Sequence, residues 1–334
     1  MADQKAVVGI DIGGTKTLIG LVDRTGEVLV KQQFPTMITD SPEIHIQKCI
    51  ETVHICLAKA GLTHHSLLGI GVNVPGLADP EKGILLHAPY AGWKNVPVKE
   101  LLEREWPGMP INIANDVNAC ALGELIFGIG KQYNSFLWVT ISTGIGGGLI
   151  IDRQIYEGEH FIAGEVGHLV VQWEEGNLCG CGNRGCLEAH ASGTAIAKAA
   201  KEKLAALPRD SPFSTYFIER KKDITAQSVA EAAYKGIEEA KEIYQQAGEY
   251  IGRAFSYAIN IMNPGAIIMG GGVSLSIDLL EPYIRQTFQT AVISEANKNM
   301  PILLTDLGYE AALIGAASLI YADIYIGPIK EMNR

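Results

Sequence analysis

Two stretches of the chain follow one plan. AVVGIDIGGTKTLIGLVDRTGEVLVKQQF, from Ala6, reads as strand, glycine loop, strand, tight turn, strand. FLWVTISTGIGGGLIIDRQIYEG, from Phe136, repeats that order, with its glycine loop after Ser142 and its own Asp-Arg turn. A repeated β-hairpin opening on a glycine loop predicts two related α/β domains facing each other across a cleft, each with one loop of outward backbone amides suited to phosphate. Either loop alone reads equally well as a tight hairpin; the pairing, and three successive glycines in the second, favour anion binding.

The 334 residues suit two domains, and 47% hydrophobic with 19% charged residues is the balance of a compact globular chain. A formal net charge of -10 leaves no basic excess to displace counterions, which argues against nucleic acid and acidic membrane surfaces. It does not exclude a nucleotide, which backbone amides and a metal ion can hold. The first residues reach glycine and aspartate too soon for a signal peptide, and AALIGAASLIYA from Ala311 is shorter than a bilayer span, so a cytoplasmic protein is expected.

Between the repeats, Ile46, Ile50, Val53 and Leu57 fall on one helix face that Gly61 closes. LLGIGVNVPGLAD reads as a buried strand ending at the Pro75-Gly76 turn; its glycines are superficially like a dinucleotide motif, but the spacing is wrong. INIANDVNACALGELIFG passes from strand to helix at Asn115 and Asp116. Further on come a helix over about 193–204, a polar connection over 208–223, a capping box of Ser228 with Glu231, a long helix ended by Pro264, the strand of GAIIMGGGVS, and a last helix from Ala311.

Three of the six cysteines crowd into one short segment. Cys179, Cys181 and Cys186, with His168 eleven positions upstream, make a tetrahedral zinc set with no vacancy, hence a structural one. Gly180, Gly182 and Gly185 let the backbone turn around an ion; the alternative is that His168 is a core histidine and another group completes the shell. Cys49, Cys56 and Cys120 sit in apolar runs as reduced core thiols.

Closing such a knuckle draws Glu165 and Glu188 toward one place, where carboxylates accept hydroxyl hydrogen bonds. Asp116 is a candidate base toward a hydroxyl, although an aspartate there equally caps a helix. Asp11, entering DIGGTK, is placed to order Mg2+ near phosphates, with Gly13, Gly14, Thr15 and Lys16 following. No Walker-type P-loop is present.

Together DIGGTK, NDVNACALGE, STGIGGGLIIDRQIYEGEHFIAGEVGH, CGCGNRGCLE and GGGV at Gly270 to Val273 resemble the ROK family (repressor, ORF, kinase) of sugar kinases and sugar-responsive regulators over nearly the whole chain. The resemblance implies an α/β protein of the actin-like ATPase (ribonuclease H-like) fold, with a small domain of residues 1–116 plus 312–334 and a large domain of 117–311 that carries the zinc knuckle. It implies ATP-dependent phosphorylation of glucose at its 6-hydroxyl, with ATP, Mg2+ and structural Zn2+, and a homodimer or homotetramer. By position, Asp116 is the implied base; Gly76, Asn115, Asp116, Glu165, His168 and Glu188 are implied at the sugar. Asp11, Gly13, Gly14, Thr15, Lys16, Thr143, Gly144, Gly271 and Gly272 are implied at the nucleotide, and His168, Cys179, Cys181 and Cys186 at the metal. His168 thus has two tasks: with one ring nitrogen on zinc, the other is a committed N–H donor.

One position departs from the pattern. Many glucose-specific members carry Asn-Leu before the Gly-Trp pair, and this chain has Tyr90 where that asparagine stands. Segments similar to GHLVV and CLEAHASG occur in the vertebrate N-acetylmannosamine kinase domain, so N-acetylmannosamine or N-acetylglucosamine is the alternative substrate. Repressors of the family carry an N-terminal helix-turn-helix, whereas the first strand here is expected by Ala6.

Overall fold

A computed structural model describes residues 5–38, 41–219 and 223–326. The chain divides into two compact units, one formed by Met1–Ser135, Gly148–Ala163 and Thr305–Arg334, the other by Phe136–Gly147 and Gly164–Leu304.

The first repeat forms β1 (Ala6–Ile12), β2 (Lys16–Asp23) and β3 (Val28–Pro35), an antiparallel meander followed by α1 (Pro42–Ala60). Ser41 caps α1, Gly61 ends it in the left-handed region at φ 66°, and Ile46, Ile50, Val53 and Leu57 are buried as their spacing predicts. Next come β4 (Leu67–Val74), a small antiparallel sheet of β5 (Leu77–Asp79), β6 (Ile84–Ala88) and β7 (Trp93–Val96), then α2 (Val98–Glu103), β8 (Ile111–Asn115) and α3 (Asp116–Ile126). The main sheet has the order β3-β2-β1-β4-β8, with β4 parallel to both β1 and β8.

The second repeat forms β9 (Phe136–Ile141), β10 (Ile145–Ile151) and β11 (Gln154–Tyr156). After the knuckle come α4 (Leu187–Ala191), α5 (Gly193–Ala206), α6 (Pro212–Glu219), α7 (Ala226–Tyr234) and the 25-residue α8 (Glu238–Met262), then β12 (Ala266–Gly270), α9 (Ile277–Ala291) and β13 (Ile302–Leu304). The sheet order β11-β10-β9-β12-β13 reproduces the first sheet strand for strand, with β12 parallel to β9 and β13. The hairpin repeat in the sequence is therefore a repeat of topology.

The last helix, α10 (Ala311–Tyr325), returns to the first unit. Side-chain alternation along β1 serves two layers: Val8, Ile10 and Ile12 pack with α1, whereas Val7 packs with Leu313, Ala317 and Tyr321 of α10. On the α10 side the strands carry glycine. A Cβ on Gly9 would lie 2.6 Å from Leu313 O, and one on Gly71 would lie 1.8 Å from Ala316 O, so α10 rests directly on backbone. Gly71, one of the glycines that give LLGIGVNVPGLAD its superficial likeness to a dinucleotide motif, is thus a packing device.

The structure differs from the sequence reading in two places. The stretch 208–223 contains α6, held by buried Phe213, Tyr216 and Phe217 at helical spacing. The capping box before α7 pairs Thr225 with Ser228, not Ser228 with Glu231. Within the first compact unit α3 packs along α10 through Gly315, whose Cβ would lie 2.7 Å from Ala119 O. Among the described residues no helix is long and apolar enough to cross a membrane.

Candidate functional site

In the first unit, β1 delivers Asp11 and β2 begins at Lys16, so Gly13, Gly14 and Thr15 make the turn between them. The Gly13 N–H closes on Lys16 O at 3.0 Å, and a Cβ on Gly13 would lie 2.8 Å from that oxygen. Gly14, Thr15 and Lys16 are exposed.

The β8–α3 junction supplies the next residues. Asn115 caps α3, its Oδ1 accepting from Val117 N–H at 2.8 Å and Asn118 N–H at 3.4 Å, while its Nδ2 donates to Gly76 O at 3.0 Å. The cap that the sequence leaves open to Asp116 is thus taken by Asn115, and Asp116 stands in the first turn of α3. Gly76 is glycine for steric reasons: its φ is 139° and a Cβ would lie 2.3 Å from His87 O.

Electrostatics tie these groups together. Burial and, after it, the Asp116 carboxylate raise Asp11, Lys16 partly offsets both, and the group stands at about 7. Tyr90 is pushed up to about 12 by burial and by the same two carboxylates. Its ring would touch a Cβ on Gly14 at 3.7 Å, and its buried hydroxyl has no hydrogen-bond partner among the described residues. The sequence marks Tyr90 only as a departure from the family pattern. It gives no sign of Thr36, whose N–H and hydroxyl both bind the glycine loop, or of the buried Thr17 and His45 behind it.

In the second unit the Ser142–Gly144 turn joins β9 to β10. Ser142 N–H donates to Gly144 O at 2.9 Å, Gly193 N–H to Ser142 O at 2.7 Å, and the Thr194 hydroxyl to Thr143 O at 2.8 Å. Gly271, at φ 87°, lies under Ile141, where a Cβ would come within 2.4 Å of the carbonyl oxygen. Nothing would meet a Cβ on Gly272 within 4 Å.

A carboxylate connects this loop to the knuckle. Glu188 Oε2 accepts from Ile145 N–H at 2.9 Å, and its Oε1 lies 3.9 Å from Cys179 Sγ. Upstream, Gly167 is pressed against β10, since its Cβ would lie 2.1 Å from Ile145 O; this seats Glu165 and His168 beside the same strand. His168 Nε2 is 3.9 Å from Glu165 Oε2, and Nδ1 is 3.7 Å from Cys179 Sγ.

The knuckle has the dimensions of a metal shell. Cys181 and Cys186 sulfurs are 3.7 Å apart, too far for a bond, and the four donor atoms of His168, Cys179, Cys181 and Cys186 lie within 4.8 Å of one another. A tetrahedral ion with metal–sulfur bonds of about 2.3 Å has sulfur–sulfur edges of about 3.8 Å. Burial pushes the Cys186 thiol up to about 12 and raises Cys179 as well, whereas a backbone hydrogen bond at Asn183 lowers the exposed Cys181. His168 presents one nitrogen to the thiols and the other to Glu165.

Twin sheets of one strand order, each opening on a glycine turn, define a protein of the actin-like ATPase fold. The chain belongs to the ROK family, whose model matches residues 7–323. It is 32% identical to a glucokinase of Halalkalibacterium halodurans over 313 residues, 94% of each chain. It is 28% identical to a xylose repressor of Caldicellulosiruptor bescii over 326 residues, covering 98% of this chain and 80% of the repressor. A ROK family glucokinase from Streptomyces griseus, solved in complex with glucose and AMPPNP, superimposes with a TM-score of 0.76 at 31% identity, covering 94% of this chain and 98% of that one.

Proposed function

We propose that the chain is an ATP-dependent hexose kinase that transfers the γ-phosphoryl group of ATP to the 6-hydroxyl of glucose, with Asp116 as the base. The observation that carries this reading is the division of labour at the β8–α3 junction. Asn115 makes the helix cap, and Asp116 beside it, in the first turn of α3, stands in electrostatic reach of Asp11.

The reaction asks little covalent help of the protein. The sugar oxygen attacks phosphorus, the bond to the β-phosphate bridging oxygen breaks to leave ADP, and Asp116 accepts the hydroxyl proton. Catalysis is then in-line positioning and charge neutralisation. Asp11 would order Mg2+ through its waters, which neutralises phosphate charge; the amides of Gly14, Thr15, Thr143, Gly144, Gly271 and Gly272, with Lys16, bind the nucleotide, and Gly13 closes the turn that presents the first of them.

Asn115, Gly76, Glu165, His168 and Glu188 bind sugar hydroxyls in this reading. A zinc ion held by His168, Cys179, Cys181 and Cys186 would have no open position and so only a structural part: it fixes His168 Nε2 as a donor, 3.9 Å from Glu165. Glucose is favoured by the 32% identical glucokinase, and an N-acetylhexosamine by Tyr90 in place of asparagine.

The test is transfer by the wild type and by Asp116→Asn. The wild type is expected to release ADP in a coupled assay with glucose, mannose, fructose, N-acetylglucosamine or N-acetylmannosamine, most strongly with glucose. Asp116→Asn is expected to lose roughly 10³-fold in kcat while sugar binding persists. An Asn variant of undiminished rate removes the assigned base. A second reading, a sugar sensor without transfer, draws on the xylose repressor relative. Sugar binding by a wild type that never forms ADP, or sugar-dependent retention of operator DNA, would select it. Elution volume in size-exclusion chromatography tests the dimer or tetramer implied by the resemblance.

A further inference from the structure

One residue occupies both outer carbonyls of the first glycine loop. Thr36, buried just beyond β3, donates its backbone N–H to Thr15 O at 2.9 Å and its hydroxyl to Gly13 O at 2.6 Å. Behind it, Thr17 Oγ1 lies 3.1 Å from Thr36 Oγ1 and 3.1 Å from His45 Nε2. Both Thr17 and His45 are fully buried.

The direction of every proton in this row follows from its two ends. Met37 N–H donates to His45 Nδ1 at 3.4 Å, so the neutral ring carries its proton on Nε2 and donates to Thr17. The Thr36 hydroxyl proton is committed to Gly13 O, so Thr36 accepts from Thr17. Burial holds His45 down at about 4, which keeps the ring neutral and the row pointed toward the loop near neutral pH.

A loop that receives an anion must turn N–H groups outward and carbonyl dipoles away. Thr36 holds Gly13 O and Thr15 O back, whereas the exposed Gly14 and Thr15 have no protein acceptor for their N–H groups among the described residues. We infer that Thr36, backed by Thr17 and His45, is the positioning residue that sets this loop to receive the phosphates of a nucleotide. The inference rests on the kinase reading above.

Thr36→Val tests it, because valine removes the hydroxyl and keeps the N–H bonded to Thr15 O. Titration calorimetry with the Mg2+ complex of AMPPNP is expected to show about tenfold weaker binding, with glucose affinity unchanged within about twofold and Thr36→Ser restoring the loss. A merely structural hydroxyl would lower the melting temperature without separating the two ligands. Should Thr36→Val fail to fold, Thr17→Val removes the support and leaves both Thr36 bonds; about threefold weaker AMPPNP binding is expected. Nucleotide binding that survives the substitution overturns the inference alone, as does equal weakening toward both ligands. A wild type that binds no AMPPNP overturns the kinase reading and the inference with it.

Discussion

The two glycine loops share a hairpin plan and differ in what restrains them. The first is held by uncharged groups, the hydroxyls of Thr36 and Thr17 and a neutral imidazole, all buried. The second is held by a carboxylate, Glu188, whose other oxygen faces Cys179 of the knuckle. A hydroxyl relay is insensitive to metal and sets carbonyl direction only. A carboxylate wired to a thiol cluster makes the second loop depend on the state of the knuckle.

The largest expected effect breaks the second restraint. Cys181→Ser should release zinc, lower the melting temperature by roughly 10 °C and weaken sugar binding, with a smaller change in stability under the same treatment for the first unit's variants. Zinc content by plasma emission and glucose titration check it. Unchanged sugar affinity in a zinc-free protein would break the link between knuckle and carboxylates.

The second effect lies in the first unit and is pH-dependent. Folding raises Asp11 from 3.8 to about 7, chiefly by burial, so the folded chain holds a proton that the unfolded chain has released. The stability contributed by that proton is full below pH ~4 and lost as pH rises through about 7. Asp11→Asn should therefore gain stability at pH 8, by about 4 kcal/mol at most without Mg2+, gain almost nothing at pH 4, and lose transfer. Urea melts at the two pH values check it; an equal gain at both would contradict the assignment.

The smallest effect compares the loops directly. A Cβ on Gly144 would lie 2.5 Å from Glu188 Oε2, whereas one on Gly14 meets, among the described residues, only the Tyr90 ring at an ordinary 3.7 Å. Gly144→Ala should cost about 1–2 kcal/mol and Gly14→Ala less than about 0.5 kcal/mol. Paired thermal melts would show whether the loops differ as described.

What the sequence displayed, it displayed through local rules. The hairpin repeat, the face of α1 and the cysteine spacing each follow from residues near one another in the chain. The sequence hides α6 because a polar surround masks Phe213, Tyr216 and Phe217, and hides the cap of α7 because Ser228 serves at the third helical position in place of a glutamate. Long-range partners were invisible for a different reason. That Asn115 caps α3 while bonding Gly76, that Glu188 reaches Ile145, and that His45 supports Thr36 through Thr17 depend on strand register and helix placement, which no spacing encodes.

The central claim is that this chain moves a phosphoryl group onto a hexose. Phosphorus NMR of the wild-type protein with ATP, Mg2+ and glucose tests it most directly. The expected spectrum gains the resonances of ADP and of a phosphate monoester on the sugar's 6-oxygen in equal amounts. ATP left intact across the whole hexose series by a protein that is folded, zinc-loaded and sugar-bound would contradict it.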